Sequence, residues 1–190
     1  MDRLYLTPHP NHLPSGPMFE LWVNVDHAAS FGASATTNFF FCVGAPASRF
    51  VIAPEFEGEG EGEGEGEEEA ARTDELWKTT CFEAFLRPEG EAGYTEYNFA
   101  PSGQWAAYDF SGHRAGMAKA EVGSPPYIRV EDNLTWWGLG ATIAVPVQHY
   151  ALGLSAVLEE QDGTKSYWAL AHSPGAADFH HGDCFTARLG

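Results

Sequence analysis

The sequence predicts an all-β protein, a single-domain antiparallel β-sandwich over residues 1–190 with about nine to eleven strands. Two observations carry that prediction. Cys81–Leu86, Tyr94–Phe99 and Gln104–Phe110 are runs of alternating character, separated by the turn-forming segments Arg87-Pro88-Glu89-Gly90-Glu91-Ala92-Gly93 and Pro101-Ser102-Gly103. Alternation marks strands, and Pro/Gly punctuation marks hairpins. Convincing amphipathic helices are absent, apart from weak candidates at Asp26–Ser34 and Ala70–Trp77.

The remaining elements follow in order. Leu4–Leu6 reads as a short first strand before the His9-Pro10 break, and Phe19–Val25 alternates as a second. Asn38–Val43 is a short apolar run bounded by Gly44 and Pro46, which fits a buried strand. Arg49–Ile52 is a further short candidate, ended by Pro54. Glu55–Ala71, EFEGEGEGEGEGEEEAA, combines self-repulsion with maximal backbone entropy and offers nothing to bury. A disordered acidic Glu/Gly loop is expected at about 55–75. Its Gly spacers give no shaped geometry for calcium. His113–Pro126 is expected to be irregular. Tyr127–Glu131 and Thr135–Val145 flank the turn-compatible Asp132-Asn133. Leu152–Glu159 and Ser166–Leu170 flank the hairpin signal Gln161-Asp162-Gly163-Thr164, and Cys184–Leu189 reads as the last strand.

Composition bounds the function. A chain of 190 residues with 44% hydrophobic and 14% aromatic content can bury a sizeable core. A formal net charge of −17 argues against nucleic acid and anionic membrane surfaces as partners. Residues 55–75 hold eleven acidic side chains against Arg72 alone, contributing −10 and leaving −7 for the rest. The three cysteines, Cys42, Cys81 and Cys184, are odd in number, lack framework spacing and read as buried thiols. The opening MDRLYLTPHPNHLPSGP holds no apolar run of signal-peptide length, and no stretch approaches the ~20 apolar residues of a membrane span. The expectation is a soluble cytoplasmic protein with a small-molecule ligand; a protein partner is left open.

On strands, Cys81, Glu83 and Phe85 share one face, as do Tyr94, Glu96 and Asn98. A near-symmetric hairpin register brings Glu83 close to Glu96. Two carboxylates with an amide, near Trp77 and Trp105, suit a small polar ligand better than a bare core. Of the six tryptophans, Trp22, Trp136 and Trp137 read as packing residues. Trp77 and Trp168 sit at strand edges, Trp168 following the Asp162-Gly163 turn. Aromatic faces beside carboxylates and amides suit sugars, whose C–H faces stack on rings while hydroxyls take directional hydrogen bonds.

LWKTTCFEAFL, YTEYNFAPSGQWAAY, LGLSAVLEEQDGTKSYWALAH and ADFH together resemble the bacterial DOMON-like domains related to family 9 carbohydrate-binding modules, over roughly residues 76–189, with a weaker echo in LTPHP. The resemblance implies a non-catalytic domain binding a small sugar or glycoconjugate in a concave site, where two tryptophans clamp the ring. It places Trp77, six residues before Glu83, as the first clamp and Trp168 as the second. Glu83, Glu96, Asn98 and Arg114 would then supply polar contacts, with Gln104 nearby. The sequence departs from those modules in having Thr80 or Cys81 where their strand motif commonly carries an acid.

Two alternatives stay open. Some DOMON domains bind haem, and His172, His180, His181, Asp183 and Cys184 fall within thirteen residues, with Met117 available as an axial partner. No covalent haem-attachment motif occurs, no metal-type spacing is present, and adjacent His180 and His181 on a strand would point to opposite faces. The reading adopted is therefore no cofactor. Glu83 and Glu96 also fit the acid/base pair of a glycosidase, whose carboxyls stand ~5–9 Å apart. Fold and paired acids alone do not establish a reaction.

Overall fold

A period of two sends one set of side chains inward and the other outward, and that division organises the protein. The computed structural model describes residues 3–29, 34–52 and 72–190. Among them are twelve strands: β1 (Leu4–Pro8), β2 (Leu21–Ala29), β3 (Ser34–Val43), β4 (Cys81–Pro88), β5 (Tyr94–Phe99), β6 (Trp105–Phe110), β7 (Ala118–Lys119), β8 (Tyr127–Asp132), β9 (Trp137–Pro146), β10 (Tyr150–Glu159), β11 (Lys165–Ala169) and β12 (Ala187–Leu189). All ladders between them are antiparallel.

The strands form a β-sandwich whose two sheets are continuous through β1. Leu4–Leu6 of β1 pair with β2, while Thr7 and Pro8 pair with β11. The first sheet runs β1-β2-β3-β9-β8, and the second runs β7-β6-β5-β4-β10-β11-β1, with β12 also on β10. Facing aromatic rings fill the space between them. Phe41 and Trp137 of the first sheet lie 4.9 and 5.5 Å from Phe82 of the second, and Phe39 lies 6.3 Å from Phe99. Gly138 on β9 is required by close approach: a Cβ there would meet the Phe41 carbonyl oxygen at 2.5 Å.

Several expectations are corrected. Asp26–Ser34, a helix candidate, belongs where described to the end of β2 and the start of β3. The Leu21/Val23/Val25 alternation simply continues, and His27 Nδ1 meets Thr37 Oγ1 across the ladder at 2.8 Å. The described part of Ala70–Trp77 contributes only to the 3₁₀ turn Leu76–Lys78. Arg49–Ile52 makes no strand but a 3₁₀ turn, Ala47–Arg49, and one bridge from Phe50 to Glu160. Only Ala187–Leu189 of the last expected strand is extended in the sheet. The expected acidic loop, Glu55–Ala71, lies outside the described residues. All three cysteines are free and buried, and burial pushes the Cys42 thiol up to about 11. No helix among the described residues is long and apolar enough to cross a membrane.

Phe82 is fully buried where the two sheets meet. Phe82→Ala is expected to cost about 3–5 kcal/mol, because the rigid rings around it cannot collapse into the space. A urea titration reads this as a lower midpoint at unchanged slope.

Candidate functional site

The second sheet is covered on both faces. Phe82, Ala84 and Leu86 of β4 join the sandwich core, so Cys81, Glu83 and Phe85 turn outward. Strand register sets Tyr94, Glu96 and Asn98 of β5 beside them, then Ala106, Tyr108 and Phe110 of β6. Ser155 and Val157 of β10 and Tyr167 of β11 extend the same face on the other side. Leu76, Trp77, Phe179, Cys184 and Phe185 pack over this face as a second apolar cluster.

Between sheet and covering loops lies a cavity of about 360 Å³. Glu83, Glu96 and Val157 contribute its floor, and the rings of Trp77, Phe110, Tyr167 and Phe179 its walls. Arg114, Met117 and Ala177 lie at its rim, with His180 beside Glu96. Glu83 pairs in register with Asn98, and Phe85 with Glu96. The two carboxyls are therefore diagonal neighbours rather than directly opposed, within reach of one another as long side chains.

A hydrogen-bond chain fixes the floor. The Arg114 backbone N–H donates to the Tyr94 hydroxyl at 3.3 Å, and that hydroxyl meets His180 Nδ1 at 2.7 Å. Burial raises the Tyr94 pKa, so the phenol keeps its proton. His180 Nε2 lies 3.7 Å from Glu96 Oε2, beyond hydrogen-bond length. Asn98 Nδ2 donates to Glu96 Oε1 at 2.7 Å, while Ser155 Oγ donates to Glu83 Oε2 at 2.5 Å.

Burial dominates the electrostatics. It raises Glu83 well above its ordinary range, and the neighbouring Glu96 carboxylate pushes in the same direction. Glu96 is raised by burial too, against opposing help from Asn98 and Arg114. Two desolvated carboxyls this close do not both ionise readily, so their titration belongs to the pair. Burial first, then Arg114, lower His180 from 6.5 to about 4. Its imidazole is neutral at neutral pH, and the contact with Glu96 is polar rather than an ion pair. Arg114 is committed elsewhere: Asp178 Oδ1 accepts from its Nε at 3.0 Å and its terminal nitrogen at 2.9 Å. Asp178 also accepts from His113 at 2.7 Å, and these bonds hold its carboxyl low despite partial burial.

Among the described residues two non-glycine ones take left-handed backbone, Glu75 at φ +66° and Arg114 at φ +52°. Glu75 precedes the 3₁₀ turn that carries Trp77, and Arg114 is itself at the cavity. Such outliers cost of order 1–3 kcal/mol and persist only where their surroundings over-determine them. Trp77 packs edge-on against Tyr108 at 5.9 Å, and the Tyr108 hydroxyl donates to Asp74 at 2.7 Å.

Of the residues singled out in the sequence, Trp77, Glu83, Glu96 and Arg114 line the cavity, and Asn98 holds Glu96 from below. Trp168 is not brought to it. It pairs with Ala156, which pairs with Phe82, so its ring enters the sandwich core 4.7 Å from Phe19. Its indole N–H donates to Ser166 Oγ at 2.9 Å. The adjacent Tyr167 takes the cavity-facing position, as period two requires. Trp105 also joins the sandwich core, and Gln104 bonds Ser102 in its turn.

Tyr167 and Phe179 were missed by sequence reasoning, although the SYWAL and ADFH segments contain them, and Tyr94 was placed on the face of Glu96 and Asn98 without a role. His180 was considered only as a metal ligand. Met117 does share the cavity with His180, but both His180 nitrogens face the Tyr94–Glu96 chain, so ligating iron would dismantle it. His180 and His181 also lie off the strands, before the 3₁₀ turn Gly182–Cys184. Among the described residues no three His, Cys, Asp or Glu side chains are placed to hold a metal ion.

No family model and no curated protein matches the sequence. Two solved structures share the fold. One is a candidate carbohydrate-binding protein from Bacteroides uniformis, with TM-score 0.54 and 12% identity over 97% of this chain and 84% of that one. Another is a family 9 carbohydrate-binding module from Caldicellulosiruptor kristjanssonii in complex with glucose, with TM-score 0.50 and 8% identity over 98% and 79%. The chain thus has a β-sandwich fold of the carbohydrate-binding-module kind.

The raised Glu83 pKa makes a signed prediction about stability. Its folded value lies above 4.5, so the folded state keeps a proton that the unfolded chain releases as pH rises. The contribution to stability is greatest below pH 4.5 and falls as pH climbs through the folded value. Glu83→Gln cannot titrate, so its stability relative to wild type should rise with pH from 4.5 upward. Each unit separating the two pKa values is worth about 1.4 kcal/mol. Chemical unfolding of both proteins across a pH series measures the difference; a flat difference contradicts it.

Proposed function

We propose that the protein binds a small saccharide or glycoconjugate, without catalysis, in the cavity on the outer face of the second sheet. One observation carries this reading: an aromatic-walled concavity with two buried carboxyls on its floor, in a fold shared with a module that binds glucose. Mostly apolar walls with a few oriented polar groups are the expected chemistry of a small-molecule pocket. The half-exposed Trp77 offers a ring for a sugar's C–H face, and Tyr167 supplies the second ring in place of Trp168. A protonated Glu83 donates to a hydroxyl, and Glu96, oriented by Asn98, accepts from one. Arg114, held by Asp178, offers its remaining N–H groups at the rim.

A relation to DOMON-like domains belongs to this proposal, as does a reducing cytoplasmic setting, which the three unpaired thiols fit. Affinity should be modest, since each hydroxyl exchanges bonds with water for bonds with protein at little net gain.

Tryptophan fluorescence during titration with mono- and disaccharides tests the reading. A saturable change is expected for at least one sugar, and Trp77→Ala and Tyr167→Ala should each weaken it by about tenfold or more, equivalent to ~1.4 kcal/mol. Silence towards every sugar up to its solubility limit would discard saccharide binding. Turnover of an aryl glycoside that disappears in Glu83→Gln would replace binding by hydrolysis.

A further inference from the structure

We infer that the saccharide is a cationic one, an amino sugar whose protonated amine sits between Glu83 and Glu96. This deepens the saccharide-binding proposal and rests on it.

The argument begins with an imbalance of charge. Glu83 and Glu96 are 3% and 4% exposed, yet among the described residues neither makes a direct ion pair with a lysine or arginine, and Arg114 acts on them only from a distance. Glu160, equally buried at 3%, shows what this protein does with a structural carboxylate: Arg49 Nε donates to it at 2.8 Å, and Ser15 donates twice. At the cavity the arrangement differs. Ser155 engages one oxygen of Glu83, and Oε1 has no hydrogen-bond partner among the described residues. Glu96 receives a neutral amide and faces an imidazole that is neutral at neutral pH. The guanidinium of Arg114 is bonded to Asp178.

Other titratable groups around the pair do not close the gap. Cys81, Tyr94 and Tyr108 face it from the strands, and burial holds all three in their neutral forms. His180, Arg114 and Asp178 approach from the loops, and their charges are already accounted for. The cavity therefore offers two closely spaced acids and one open carboxyl oxygen to whatever enters it.

The walls favour the same ligand. Trp77, Phe110, Tyr167 and Phe179 surround the floor with aromatic rings, whose negative faces attract a desolvated ammonium. A neutral sugar leaves a proton on the carboxyl pair. A bound ammonium replaces it, so the acid ionises, the N–H···O bonds form and the displaced proton goes to solvent.

Calorimetric titration of the full chain with glucosamine, glucose and N-acetylglucosamine, in buffers of different ionisation enthalpy at neutral pH, tests the inference. Glucosamine should bind about tenfold or more tightly than the other two. Its binding should release a fraction of a proton, whereas theirs should not. In Glu83→Gln and Glu96→Gln the glucosamine-to-glucose affinity ratio should fall towards one. Equal affinities for the three sugars with no proton release would overturn the cationic ligand while leaving saccharide binding in place. Binding of none of them would overturn both readings, and ethylamine binding as tightly as glucosamine would remove the sugar. If a glutamine variant does not fold, the wild-type affinities and proton count still decide.

Discussion

Burial of one sheet on both of its faces is the constraint from which the rest of this structure follows. The inward side chains of β4 and β5, including Phe82 and Phe99, close the sandwich core. The outward set lies beneath loops that carry Trp77, Phe179 and Phe185 rather than under water. Any polar group on that outward set is desolvated before a ligand arrives. A carboxylate in such a place either neutralises or finds compensating bonds. Glu83 and Glu96 do some of each, drawing bonds from Ser155 and Asn98 while their affinity for protons rises. Hydrophobic residues of similar volume would avoid that desolvation, and buried polar pairs are not retained for stability alone. Two acids shifted by burial within one cavity are the feature on which the proposed binding site rests.

The covering loops show a matching expenditure of strain. Glu75 and Arg114 hold left-handed backbone without the freedom of glycine, and the side chain of each makes an ion pair. Lys78 bonds Glu75 at 2.6 Å and Lys119 bonds Asp74 at 2.9 Å around the Trp77 turn. Asp178 gathers His113 and Arg114 on the other side. These surface bonds are individually weak. Their value here is to fix the direction of two side chains over a floor that the strands already hold rigidly.

Much of this was legible in the residues. The Cys81–Phe110 segment revealed three strands and the face on which both glutamates lie, because period two leaves little freedom there. Trp168 shows where such reading stops. The family resemblance implied a clamp at Trp168, yet which member of the Tyr167-Trp168 pair faces the cavity depends on β11's register with β10, and register is a long-range property. His180 was hidden for a related reason. Its role comes from a loop folding back over β5, so only the fold brings it to Tyr94 and Glu96. The helix candidate at Asp26–Ser34 failed because local propensity was outweighed by pairing with β3.

The neutral His180 explains why the floor remains acidic rather than internally paired. A charged imidazole beside Glu96 would complete an ion pair and leave the cavity little affinity for another cation. Burial and the nearby Arg114 hold it neutral until pH falls to about 4. The ring, held by Tyr94, therefore lies beside Glu96 without neutralising it. Arg114 is restrained in a comparable way, since Asp178 holds its guanidinium at the rim. Both basic side chains closest to the acids thus stay out of direct ion pairs with them at neutral pH, and Arg114 acts on the carboxyls only from a distance. Buried without a direct counter-ion, the pair holds on to a proton, and that proton is the one the proposed ammonium would displace.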